Sequence, residues 1–149
     1  MAGQAHDGCG KRLIPGVTAV TDRAFGRWHH ITEMKLRLQG NFLRLRLGRS
    51  EVAQLRDTGA VEESVSFKSG RSLVYRVRCC AGAAPLQADF AGGIVTVDIS
   101  AENARTWASS DDVGLYAQDG GLRIAVEKDF RCLTRPQEEP DAFPHPAEK

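Results

Sequence analysis

Residues 34–55 read MKLRLQGNFLRLRLGRSEVAQL, and the fold expected for the whole chain turns on how they are read. Leu36 and Leu38 alternate with Lys35 and Arg37. Leu43, Leu45 and Leu47 then alternate with Arg44 and Arg46. A period of two belongs to β-strands with one buried face, and Gly40-Asn41 between the runs marks a tight hairpin. The alternation stops at Gly48, where Ser50 and Glu51 read as the cap and first turn of a short helix.

The pattern continues outward from this hairpin. Val52, Ala53 and Leu55 give the helix an apolar side, and Gly59 is placed to end it in a left-handed cap. Val61, Glu63, Val65 and Phe67 alternate through a third strand. Lys68-Ser69-Gly70-Arg71 turns the chain, and Leu73, Tyr75 and Val77 mark a fourth. After the small-residue linker Ala81–Pro85 the same order recurs. Leu86, Ala88 and Phe90 lead through Gly92-Gly93 to Val95, Val97 and Ile99, then to a helix capped by Ser100 and carrying Ala101, Ala104, Trp107 and Ala108. Val113, Leu115 and Ala117, then Leu122, Ile124 and Val126, form a last hairpin around Asp119-Gly120-Gly121. Two ββαββ units, 34–78 and 86–127, read as an internal duplication. Neither is large enough to bury a core by itself.

These patterns predict an α+β fold, mostly antiparallel β, in which the units close into a pseudo-symmetric barrel or sandwich with two short helices. The expected core is Leu36, Leu38, Leu43, Leu45, Leu47, Val65, Phe67, Tyr75, Val77, Phe90, Val95, Val97, Ile99, Trp107, Leu115, Ile124 and Val126. Residues 34–127 form the expected domain. Residues 1–33 lack a sustained period and read as a weakly ordered extension, with Phe25 and Trp28 as the anchors of an alternative docked arm. Residues 128–149 contain Pro136, Pro140, Pro144 and Pro146 and read as an extended tail packed on the domain through Phe130, Leu133 and Phe143.

Composition sets limits on function. With 42% hydrophobic and 26% charged residues the chain resembles an ordinary globular protein. No run of eighteen apolar residues is present, which excludes a transmembrane helix and argues against a membrane partner. The first residues lack a signal-peptide core, which points to the cytoplasm. The net charge of +1 is unevenly spread: 34–78 carries +6 and 79–127 carries −5. Such asymmetry points to a charged partner, or to halves that neutralise each other. Cys9, Cys79, Cys80 and Cys132 lack C-x-x-C spacing and read as reduced structural thiols, with metal binding or a disulfide framework as the alternative.

MKLRLQGNFLRLRL, SEVAQL followed by GAVEE, Val126–Phe130 with Cys132-Leu133, and Asp141–Pro144 together resemble a family of small bacterial proteins of unknown function. The resemblance spans about residues 34–146. It implies a bacterial source and a usual start at Met34, and it carries no activity. Gly93–Ile99, the following helix and the hairpin ending at Val126 also resemble the hairpin–helix–hairpin unit of swapped-hairpin transition-state regulators. Two such units would form a pseudo-dimer. The chain differs from that class in lacking the proline after the second strand, where Gly48 or Ser100 stands, and in offering only Arg56 and Arg105 from its helices.

The main candidate site is a basic face. Lys35, Arg37, Arg44, Arg46, Arg76 and Arg78 lie on the polar side of their strands and would form one patch if the first two hairpins lay side by side. Such a patch suits a phosphate backbone. Phe42 is the one outward aromatic residue beside it, which favours duplex contact over base stacking. The competing reading is a solvated exterior paired with Glu62 or the acidic half. The alternative site is the tail, where Asp129, Cys132 and His145, with Glu127, Glu138, Glu139 and Asp141 nearby, could ligate a metal or small ligand, or Cys132 and His145 could pair as nucleophile and base. Their spacing across four prolines matches no short motif. His29-His30, Glu62-Glu63 and Asp111-Asp112 read as exposed or turn chemistry. No catalytic residue and no cofactor site emerges. The expectation is a non-enzymatic binding module, with nucleic acid as its leading partner, protein–protein interaction as the third reading, and homo-oligomerisation open.

Overall fold

A computed structural model describes residues 34–82, 86–130 and 141–148. Eight strands and two helices follow one another as β1 (Lys35–Gln39), β2 (Phe42–Leu47), α1 (Arg49–Thr58), β3 (Ala60–Ser66), β4 (Ser72–Cys80), β5 (Leu86–Ala91), β6 (Ile94–Ser100), α2 (Ala101–Ser109), β7 (Gly114–Asp119) and β8 (Leu122–Lys128). A single 3₁₀ turn, Pro146–Glu148, lies near the C-terminus. No helix among the described residues is long and apolar enough to cross a membrane.

The strands form two four-stranded sheets, ordered β1-β2-β8-β7 and β3-β4-β6-β5. Each sheet takes one hairpin from each ββαββ unit, and exchanging the units maps one order onto the other. Within the hairpins the ladders are antiparallel. The hairpins meet through parallel central pairs, β2 with β8 and β4 with β6. Each unit therefore exchanges one hairpin with the other across the two sheets. The exchange answers the size problem of a single unit, because each central strand is completed only by the other half. The sheets form no closed barrel: among the described strands no ladder joins one sheet to the other.

Alternation places Leu43, Leu45 and Leu47 of β2, Val77 of β4, Val95, Val97 and Ile99 of β6, and Ile124 and Val126 of β8 in the core. Val52 and Leu55 of α1 and Ala104 and Trp107 of α2 pack on them, with Met34, Val61 and Leu86. The parallel ladders pair Leu45 with Val126 and Val77 with Val97, and all four are fully buried. Gly59 adopts φ +84° and donates its N–H to the Leu55 carbonyl, the expected left-handed stop. Ser100 caps α2 by accepting from the Asn103 N–H at 3.2 Å.

Four expected core residues are corrected. Leu38, Val65, Phe67 and Phe90 are exposed. Leu38, Val65 and Phe90 do sit on inward-facing rows, but near the hairpin tips. β3 ends at Ser66, leaving Phe67 in the turn. The start of α1 also differs from expectation. Gly48, not Ser50, is the N-cap, and Glu51 reaches back to accept the Gly48 N–H at 2.8 Å. Asp141 takes the capping role from far along the chain: its carboxylate accepts from the Ser50 N–H at 3.2 Å and the Ser50 hydroxyl at 2.8 Å. Reduced thiols were expected at all four cysteines, but Cys80 is disulfide-bonded. Cys79 is a free thiol, and burial pushes its pKa up.

Leu45→Ala should cost about 2–5 kcal/mol in urea unfolding, through lost transfer energy and a cavity at the parallel junction. Leu38→Ala, one inward row away and exposed, should stay within about 0.5 kcal/mol. Equal losses at the two positions would contradict this placement of the core.

Candidate nucleic-acid interface

The solvent face of the β1-β2-β8-β7 sheet is assembled by register. One row across it holds Lys35, Arg46, Glu127 and Gly114. The next holds Arg37, Arg44, Ala125 and Tyr116, and a third holds Gln39, Phe42, Arg123 and Gln118. Five cations thus share the face with one carboxylate. The solvent face of the other sheet sets two arginines, Arg76 and Arg78, against Glu62, Asp89 and Asp98.

The six cations expected to form one patch are therefore divided four and two. The first two hairpins do not lie side by side; each pairs with a hairpin of the second unit. Arg76 donates to Thr96 Oγ1 at 3.0 Å and lies 3.6 Å from Glu62. Arg78 makes a two-pronged contact with Asp98. Arg78 is thus neutralised by Asp98 of the acidic half, and Arg76 by Glu62 of its own unit. Lys35, Arg37, Arg44 and Arg46 stay together and gain Arg123 from β8.

Glu127 organises this basic face. Its carboxylate lies 3.6 Å from the Nε atoms of both Arg44 and Arg46, and it accepts the Tyr116 hydroxyl at 3.1 Å. Burial, then the Glu127 charge, holds the Tyr116 pKa above its ordinary value, so the phenol stays protonated at neutral pH. The Arg44 and Arg123 guanidinium carbons stand 5.2 and 5.1 Å from the Phe42 ring centroid. The ring thereby spaces two positive charges rather than offering itself. Arg37 donates to Gln39 and makes no ion pair among the described residues. Lys35 bridges to Asp129 at 2.6 Å. Sequence reasoning missed Arg123 and Tyr116, which sit some eighty residues from the opening hairpin. Their alternation within β7 and β8 placed both on a solvent face, but no local signal said which hairpin would lie beside them.

Among the described residues, the tail candidates Asp129, Asp141 and His145 have separate partners. Asp129 pairs with Lys35, Asp141 caps α1, and His145 Nδ1 accepts from the Ala147 N–H at 3.1 Å. No group of three His, Cys, Asp or Glu among the described residues could hold a metal ion. Cys132, Glu138 and Glu139, like Phe25, Trp28, His29, His30 and Leu133, lie outside the described residues. The described part of the tail is tied down. The Phe143 N–H donates to the Asp129 carbonyl at 2.7 Å, its ring meets Phe130 at 5.9 Å, and Lys128 Nζ stands 5.5 Å from the Phe143 ring and 5.6 Å from Trp107.

Among the described residues one titratable group is strongly perturbed. Glu51 is only 4% exposed, and one of its oxygens lacks a hydrogen-bond partner. Burial raises its pKa to about 7 against the pull of the Gly48 and Met34 backbone N–H groups, and the Glu63 and Asp141 carboxylates add to the rise. Its place in the cap of α1 makes this a stability effect. Because the folded-state pKa is raised, the folded protein binds this proton more tightly than the unfolded chain. The resulting stabilisation is complete below about pH 4.5 and is lost as the pH rises through 7. Glu51→Gln should therefore gain on the wild type by roughly 3 kcal/mol between pH 4.5 and 8 in urea unfolding, where one pKa unit is worth about 1.4 kcal/mol. A wild-type-to-variant difference that does not change with pH would refute this.

No curated protein and no solved structure matches the chain. A family model does match, over residues 34–147, from the buried Met34 through the segment that caps α1. The chain belongs to DUF7009, a family of unknown function.

Proposed function

We propose that the protein is a binding module whose β1-β2-β8-β7 face contacts the phosphate backbone of a nucleic acid. The observation that carries this reading is the concentration of Lys35, Arg37, Arg44, Arg46 and Arg123 on one solvent face, with Glu127 as the single carboxylate in its strand rows and Asp129, just past β8, bridged to Lys35. A face built only for solubility gains nothing from like charges set directly opposite each other across strands. Yet Arg37 opposes Arg44, and Lys35 opposes Arg46. Asp129 and Glu127 offset the Lys35–Arg46 pair, whereas Arg37 makes no ion pair among the described residues, and its repulsion with Arg44 is relieved when phosphates approach. Each phosphate neutralised also releases condensed counterions, which gives binding a steep dependence on salt.

Arg37 and Arg123 are the cleanest probes, since neither makes an ion pair among the described residues. Replacing both by Ala should weaken binding of a labelled oligonucleotide at 50 mM salt. It should also flatten the slope of log K against log salt by about 1.4 on a single strand or about 1.8 on a duplex, the values expected for two phosphate contacts. Arg71→Ala, an exposed change in the β3–β4 turn of the other sheet, should leave both unchanged. No binding at low salt, or an equal loss in all variants, would overturn the reading.

A further inference from the structure

Tyr116 is 61% exposed, yet its hydroxyl is fixed by Glu127 on the neighbouring strand. The reason lies two residues earlier. A Cβ on Gly114 would come within 2.7 Å of the Val126 carbonyl oxygen, 2.8 Å of Glu127 Cγ and 3.1 Å of the Tyr116 hydroxyl. Only glycine leaves this space open, and the tyrosine side chain runs back along β7 to fill it. An aromatic ring laid over a strand glycine is braced on its inner side and presents its outer face to solvent. Beside it in the same row Ala125 is fully buried although it belongs to the solvent face. Arg44 follows next across the row, held by Glu127 and Phe42. The face thus has a low floor of Gly114 and Ala125, an open aromatic plane, and guanidinium groups alongside.

The dimensions distinguish between nucleic-acid forms. Four strands at about 4.8 Å spacing make a face about 14 Å across, before side chains are added. The major groove of a duplex is about 12 Å wide and admits a helix or a two-stranded ribbon. In a duplex the bases are stacked on each other and offer no free face to Tyr116. A single strand offers both its phosphates and its base faces, and an aromatic residue flanked by cations on an open sheet suits both.

We propose that this face takes single-stranded nucleic acid in preference to duplex, with a base stacked on Tyr116 and the adjoining phosphates held by Arg37, Arg44 and Arg123. The proposal rests on the nucleic-acid reading above and is separable from it. The test uses the full chain and fluorescence anisotropy at 50 mM salt, with a labelled single-stranded thymidine oligonucleotide and a labelled hairpin duplex of equal phosphate number. The single strand should bind at least tenfold more tightly. Tyr116→Ala should weaken single-strand binding about tenfold, the usual loss for one stacked base, and leave duplex binding unchanged. Tyr116→Leu, which still covers Gly114 but has no aromatic face, should show the same loss while guarding against misfolding. Tyr116→Phe should retain most of the affinity. Equal affinity for the two forms, or single-strand binding indifferent to Tyr116→Leu, overturns the single-strand inference. If Arg37→Ala with Arg123→Ala still weakens binding in that case, the broader reading survives. Failure to bind either oligonucleotide ends both.

Discussion

The parallel pairing of β2 with β8 and of β4 with β6 is the constraint on which the rest of the molecule depends. Each ββαββ unit offers two hairpins, and neither hairpin completes a sheet within its own unit. A lone unit would leave the inner edges of β2 and β4 unpaired and would expose one side of its leucine and valine rows to water. The second unit satisfies both needs together. It supplies backbone partners along the central ladders and brings Val126 against Leu45 and Val97 against Val77. The two halves are therefore expected to fold as one cooperative body.

The same exchange distributes charge. Both hairpins of the first unit are basic, yet their surroundings differ because their partners differ. β6 sets Thr96 and Asp98 beside Arg76 and Arg78, and those arginines are satisfied. β8 sets Arg123 and Ala125 beside Phe42 and Arg44, and supplies only Glu127 to the arginines of β2. One carboxylate shared between two guanidinium groups at 3.6 Å orients them without neutralising the face. The uneven charge of the two halves thus becomes an uneven pair of sheets, and a basic surface survives on only one of them.

The C-terminal segment contributes more than its prolines suggest. Asp141 satisfies orphan N–H groups at the start of α1, and Phe143 adds a parallel bridge to Phe130. Lys128 is buried between the Trp107 and Phe143 rings while donating to the Ser110 carbonyl. These contacts join both helices to the end of β8. They also account for the dispersal of the acidic tail residues: Asp129 and Asp141 are each engaged by a separate structural partner.

Alternation of leucine with arginine, glycines at the turns and Ser100 before α2 determined the strands, the helices and their order, because these features depend on neighbours a few residues away. Alternation also determined which side chains face solvent, so Lys35, Arg37, Arg44 and Arg46 were legible as outward cations. What only the tertiary structure decided was which hairpins share a sheet. That choice rests on contacts between residues some eighty positions apart, and a period of two is equally compatible with every pairing of hairpins. It separated Arg76 and Arg78 from the other cations and brought Arg123, Glu127 and Tyr116 to them. It also left Leu38, Val65 and Phe90 exposed on inward rows near the hairpin tips, since alternation specifies the face of a strand and not how far along it the core extends.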